Sequence, residues 1–253
     1  MIDAPARLRC GGLTLIEILV GLVIGTLVLA GAYRLWMINE TEGYRLNKKI
    51  DLRNEMALAS KRIQRAITLA GLAMGGASAL EKQDAVGSDT LVVFSNQGET
   101  TTKLLSDCSH SVNYVSVQHA GGFSTSGYLA LADADGGEVR KISGISGTTV
   151  MLQSAFDRDY LKNTAAAYPV TRERYYTNQD SSNLIRESNG TQYSQASSIR
   201  NFQVSFRNSA GEATESTDSI RAVQFSFAGI FPAKEGALNS ILFSSTAIPR
   251  NLQ

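Results

Sequence analysis

The sequence predicts an α+β protein: a long N-terminal helix, apolar in its first half and amphipathic in its second, packed on an antiparallel β-sheet domain. Three observations carry that expectation. Between Glu17 and Arg34 run sixteen residues without a charge. From Leu52 to Ala70 apolar side chains recur every three or four positions. Beyond residue 89, short stretches alternate apolar and polar residues between Gly-, Asn- and Asp-rich turns.

The first segment, Leu13 to Ile38, is 26 residues long. As a helix rising about 1.5 Å per residue it matches the hydrocarbon core of a bilayer with some tilt. Arg7 and Arg9 stand before it, which predicts a cytoplasmic N-terminus and a translocated remainder. Tyr33, Arg34 and Trp36 suit the far interface, with Arg34 able to snorkel. Glu17 is the exception within this segment. An unpaired carboxylate in a spanning helix costs on the order of a few kcal/mol, and no basic residue lies within one helical turn of it. A partner must then come from another chain, from lipid headgroups or from a new charge made by processing, and a cut between Gly12 and Leu13 would make such a charge, an α-amine able to neutralise Glu17 of an adjacent copy. Gly21 and Gly25 form a G-x-x-x-G, a weak helix-pairing signal.

The run Gly12-Leu13-Thr14-Leu15-Ile16-Glu17 resembles the processing motif of type IV prepilins and type II secretion pseudopilins. The resemblance implies a pilin-like fold and a membrane prepilin peptidase that cuts after Gly12 and N-methylates Leu13. Glu17 would then be the carboxylate that sets assembly register. Leu13 replaces the family's usual Phe. Arg34 stands where major pilins often carry a kinking Pro, which leans towards a minor pilin or pseudopilin. The implied partners are the peptidase, other pilins or pseudopilins, an inner-membrane assembly platform and membrane lipid. The implied location is the inner membrane, single-pass, with the C-terminal domain periplasmic until assembly into a pilus or pseudopilus. The rival is an ordinary signal peptide cut near Ala30-Gly31-Ala32, releasing a soluble periplasmic binding protein or enzyme that begins at Tyr33. Glu17 would interrupt the apolar core of such a peptide.

From residue 39 the helix turns amphipathic. Leu52, Met56, Ala59, Ile63, Ala66, Ile67 and Ala70 form one stripe, and Gly71 and Gly75-Gly76 supply the stop. No proline interrupts the chain between Pro5 and Pro169. The division expected is residues 1–12 as cytoplasmic leader, 13–38 as transmembrane or filament-core helix, 39–72 as its amphipathic continuation, and 77–253 as the β-rich domain. Within that domain residues 77–89 read as a loop. Strands are expected at Thr90–Phe94, Val112–Val117, Gly127–Ala132, Glu138–Ser143, Thr148–Leu152, Pro169–Thr177 and Leu184–Glu187. Two longer strands follow, Ile199–Arg207 and Ile220–Phe227. They place Phe202, Val204 and Phe206, and Val223, Phe225 and Phe227, on faces suited to the helix stripe. Ile241–Phe243 begins a candidate edge strand. The order of these strands loosely resembles the larger minor pilins of the PilW kind, and the J-type pseudopilin of type II secretion.

Charge and cysteine usage exclude other classes. Without residues 1–12 the chain keeps 22 basic and 22 acidic side chains, since Arg7, Arg9 and Asp3 depart. That balance gives no electrostatic case for a direct nucleic-acid partner. Cys10 and Cys108 fall on opposite sides of the cut, which leaves one thiol in the domain, read as a small buried residue. Asp133-x-Asp135-Gly136-x-Glu138 reads as a hairpin turn rather than a calcium loop. Cys108-Ser109-His110 lacks the further ligands of a metal site. No nucleophile elbow, phosphate loop or zinc signature occurs, and the only histidines are His110 and His119. The expectation is a structural protein with no catalytic residue, no metal and no cofactor.

Overall fold

The structure, a computed structural model, describes residues 14–75, 77–96, 98, 100–216, 219–233 and 237–250. The chain divides into two units, residues up to Lys48 and residues from Lys49 onward. One helix, α1, runs from Leu15 to Thr68 without a break. Gly43 does not interrupt it, and no proline is present to do so. It stops two residues before the end of the apolar stripe, because the chain turns through Leu69 to Gly75 and Gly71 takes a φ of 73°. The last turn tightens, with the Leu69 amide donating to the Arg65 and Ala66 carbonyls and the Ala70 amide to that of Ile67, while the Gly71 amide turns away to the Phe94 carbonyl; glycine adopts the left-handed conformation at least cost.

The second unit is antiparallel β. Its strands are β1 Leu80–Gln83, β2 Thr90–Ser95, β3 Thr102–Lys103, β4 Tyr114–Ser116, β5 Tyr128–Asp133, β6 Gly136–Ser146 and β7 Thr149–Leu152. They continue as β8 Ala166–Asn178, β9 Asn183–Ser188, β10 Thr191–Ala196, β11 Ile199–Arg207, β12 Ala222–Pro232 and β13 Leu238–Ala247. Among the described residues, β1 to β10 join one sheet in the order β1-β2-β8-β5-β6-β7-β4, with β3 and β9 also on β8 and β10 on β9. A second sheet has the order β11-β12-β13. The long strand β8 organises the first. Its start pairs with β5 and β3, and its end with β2 and β9.

The helix stripe forms as expected. Leu52, Met56, Ala59, Ile63, Ala66, Ile67 and Ala70 are buried with Phe202, Val204, Phe206, Val223, Phe225 and Phe227 in one core. The strand faces of β11 and β12 cover the helix, and the Phe225 and Phe227 rings stack at 6.4 Å between centroids. Alternation on β11 breaks once. Asn201, at φ 56°, is the extra residue of a bulge between Arg200 and Gln203, so Ile199 and Phe202 are both buried although three apart. Helix and sheet pack closely at Gly229 of β12. A Cβ there would lie 2.6 Å from Met56 Sδ and 2.9 Å from Leu52 Cδ2.

Two further cores explain the fully buried strands. On β2, Leu91 and Val93 face the helix core, while Val92 and Phe94 face a second cluster with Met74, Ala130, Ala132 and Val170. On β5, Leu129 and Leu131 join a third cluster with Val115, Ile142, Val150, Phe156 and Tyr160. Strands covered on both faces lose the alternating pattern and read as continuous apolar runs.

Three expectations need correction. Residues 77–89 are not all loop, since β1 pairs Leu80–Gln83 with β2. The strand expected at Ile220 starts at Ala222 and extends to Pro232, with Ile220 buried just before it. β10 was not anticipated. It is joined to β9 by Asn189-Gly190, with φ of 46° and 92°, the two positive values that a tight type I′ hairpin requires.

Candidate functional site

The candidate site is the start of α1 and the apolar surface behind it. Thr14 is the N-cap of the helix. Its carbonyl accepts from the Glu17 and Ile18 amides at 3.0 and 3.2 Å. The Glu17 carboxylate reaches back to accept from the Thr14 amide at 2.8 Å and from its hydroxyl at 3.0 Å. The Thr14 hydroxyl oxygen in turn accepts from the Glu17 amide at 3.4 Å. This is a capping box, in which side chains satisfy helix-end donors that no intrahelical carbonyl can reach.

That geometry changes the account of Glu17. The carboxylate lies in the first turn of the helix, where the helix dipole favours a negative charge. Its Oε2 has two neutral donors on the same chain. Hydrogen bonding therefore demands less of a partner from elsewhere, and the net charge remains to be balanced. Thr14 is the residue that sequence reasoning missed, although Thr14-Leu15-Ile16-Glu17 spells the T-x-x-E signature of a capping box. Gly12 and Leu13, the expected cut and methylation positions, lie outside the described residues.

Behind this cap every residue from Thr14 to Glu40 is exposed. Leu15, Leu22, Leu27 and Leu29 are each more than 60% exposed, as are Val28 and Leu35. The surface is apolar on all sides of the helix, unlike the one-sided stripe of the following segment. Such a surface is stable only against lipid or against other apolar helices. The polar groups within it are locally satisfied. The Thr26 hydroxyl donates to the Val23 carbonyl at 2.8 Å, and the Thr41 hydroxyl to the Met37 carbonyl at 2.7 Å. Nothing lies within 4 Å of a Cβ built at Gly21, Gly25 or Gly31, so these positions are open to close approach. Tyr33 and Trp36 pack their rings 5.9 Å apart near the end of the run.

The other sequence candidates are separate from this element. Cys108 is buried, its amide and carbonyl bonded to Tyr160 at 2.9 and 2.8 Å. Burial is the main reason its thiol is pushed up to about 11, with Asp159 and Glu138 adding to it. A thiol held protonated and covered is a packing residue rather than a nucleophile. Asp133 and Glu138 flank the expected hairpin, but arginines engage both. Arg158 reaches Asp133 at 2.7 Å, and Arg140 binds Glu138 at 2.5 Å. The Tyr160 hydroxyl also donates to Glu138. His110 Nδ1 lies 2.8 Å from Asp159, both side chains well exposed, while His119 bonds through its amide to Thr102. Among the described residues, no three His, Cys, Asp or Glu side chains are grouped to hold a metal.

Residues 7–33 match the family model described as the prokaryotic N-terminal methylation motif. The matched span covers residues 7–12 of the expected leader, the expected cut and about the first third of α1, and it supports a type IV pilin or pseudopilin relationship. It implies a structural protein, processed by a prepilin peptidase and assembled with other pilins in general. The apolar helix and this motif together suit inner-membrane anchoring with a C-terminal soluble domain. Neither curated proteins nor solved structures give a significant match to the chain.

Proposed function

We propose that this chain is a minor type IV pilin, a structural subunit that primes or caps a pilus. Prepilin peptidase would cut the bond after Gly12, removing residues 1–12, and methylate the freed amine of Leu13. Residues 13–38 would hold the subunit in the inner membrane, N-terminus cytoplasmic, until an assembly platform draws it into the filament core. The helix continues to Thr68 within the expected segment 39–72, and residues 77–253 would form the domain displayed outside. The observation that carries this reading is the capped, all-round apolar start of α1 within the methylation motif.

Glu17 has a defined part in it. The cap holds its carboxylate at the beginning of the helix, beside the Thr14 amide. That places a negative charge next to the level at which processing creates a positive one. Stacked helices would be drawn into the register that brings each Glu17 to the Leu13 amine of a neighbour. A J-type pseudopilin would use the same parts in a secretion filament. Deletion separates the two: loss of pili with normal export supports the minor pilin, and loss of export with normal pili overturns it. Mass spectrometry of the mature N-terminus tests the common premise. Methylated Leu13 is expected, and a chain beginning at Tyr33 would overturn it in favour of a soluble periplasmic protein.

A further inference from the structure

Within the second unit, a cavity of about 240 Å³ opens between the last turns of α1 and the strands β8 and β9, lined by Arg62, Arg65, Ala66, Leu69, Glu173, Tyr175 and Arg186. Its charge is unbalanced. Three guanidinium groups face one carboxylate, and that carboxylate is already used. Glu173, only 5% exposed, accepts from Arg186 and from the Tyr175 hydroxyl, the latter at 2.8 Å. Arg62, at the exposed rim, donates to the neutral side-chain oxygen of Gln195 at 2.7 Å and has no carboxylate partner among the described residues. Arg65 has no side-chain partner among the described residues, and the Arg186 Nε is buried with no hydrogen-bond partner. A guanidinium N–H placed without an acceptor is one that a ligand oxygen would satisfy.

We infer that this cavity is a socket for one carboxylate on a short aliphatic stem, carried by an acidic protein side chain or by a free acid. The fork geometry of arginine suits a carboxylate, and Ala66 and Leu69 give the stem an apolar wall. The volume is below the range of about 300–1,000 Å³ usual for drug-sized ligands, which fits a single group rather than a cofactor. The Glu173 charge on the wall disfavours a second negative charge, and so disfavours a phosphate dianion.

The test uses the full chain in non-ionic detergent with ¹⁵N-labelled arginine, followed by the Nε–Hε signals at constant ionic strength. The probes are propionate, a glutamate blocked at both backbone ends, and inorganic phosphate. Saturable shifts of the Arg65 and Arg186 signals with propionate are expected, and Arg65→Gln should weaken that binding at least tenfold while Arg53→Gln leaves it unchanged. Tighter binding of the blocked glutamate assigns the socket to a protein side chain, and tighter binding of propionate to a free acid. Unsaturable shifts shared by all arginines overturn the inference. So does an Arg65→Gln variant with unchanged affinity, or saturation by phosphate alone.

Discussion

Gly229 offers the sharpest test of how the helix is held on the sheet. Replacing it with alanine puts a methyl carbon 2.6 Å from Met56 Sδ, 2.9 Å from Leu52 Cδ2 and 3.1 Å from Leu52 Cγ. Relaxed contacts between such atoms sit at about 3.5–4 Å, so the overlap approaches 1 Å on two residues that are themselves buried. Overpacking of a filled core costs about 1–3 kcal/mol. Replacing a strand glycine with alanine returns about 0.5–1 kcal/mol by restricting the unfolded chain. The expected net loss for Gly229→Ala is therefore about 1–2 kcal/mol. Met56→Ala alone should cost about 2–5 kcal/mol by leaving a cavity. In the double variant the new methyl occupies space that Met56 vacated. The two costs should then fall short of additivity by about 1 kcal/mol, within the range seen for touching residues. Denaturant unfolding of the full chain in non-ionic detergent, followed by near-ultraviolet circular dichroism of the aromatic core, measures all four species. A neutral Gly229→Ala, or a strictly additive cycle, refutes the close approach of α1 to β12.

Three further outcomes are expected. Glu17→Ala should leave membrane insertion intact and block incorporation into filaments. Glu17→Gln keeps an oxygen for the Thr14 donors but not the charge, so a filament-competent Gln variant would show that the cap, not charge pairing, does the work; fractionation and filament shearing read both. Glu173→Gln should destabilise the fold by about 2 kcal/mol in denaturant unfolding, because Arg186 and Tyr175 lose a charged acceptor; an unchanged midpoint would mean that the pair is solvent-screened. Stability should also fall as pH rises from about 9. The Cys108 thiol loses its proton near 9 when unfolded and near 11 when folded, so the folded state holds the extra proton and is disfavoured as pH climbs between those values. Tyr160, pushed up to about 12 chiefly by burial, and Tyr175, raised for the same reason, act in the same direction at higher pH. Cys108→Ser should delay the onset to about pH 10, and an unchanged stability profile would remove the thiol from this account.

What was legible in the sequence depended on the period of burial. The stripe from Leu52 to Ala70 and the alternating faces of β11 and β12 were readable because each buries one side only. Phe202, Val204 and Phe206 declared their face, and the structure puts them on the helix. β1 was not readable, because Leu80 is its only buried residue and Glu81, Lys82 and Gln83 look like loop. β10 hid for the same reason, with Thr191 to Ser194 exposed, yet Asn189-Gly190 was a hairpin signal available from composition alone. The cavity beside Arg186 was beyond reach. Its arginines come from α1 and β9, more than a hundred positions apart, and only the pairing of β9 on β8 brings them to Glu173.

Glu17 shows why a costly residue must be priced at its actual position. As a charge within an apolar run it calls for a partner from another chain, from lipid headgroups or from a charge made by processing. One helical register decides otherwise: Thr14 caps the helix, Leu15 begins it, and the carboxylate falls where free amides point. The hydrogen-bond requirement of one carboxylate oxygen is then met within the subunit before any assembly. What remains for a neighbour is a weaker, longer-range demand, the compensation of one negative charge in a medium that screens poorly. A demand of that kind suits reversible assembly better than an unsatisfied buried group does. On the proposed function, the subunit would wait in the membrane without severe penalty and would still gain from the one axial position that places a processed, positive amine beside the cap.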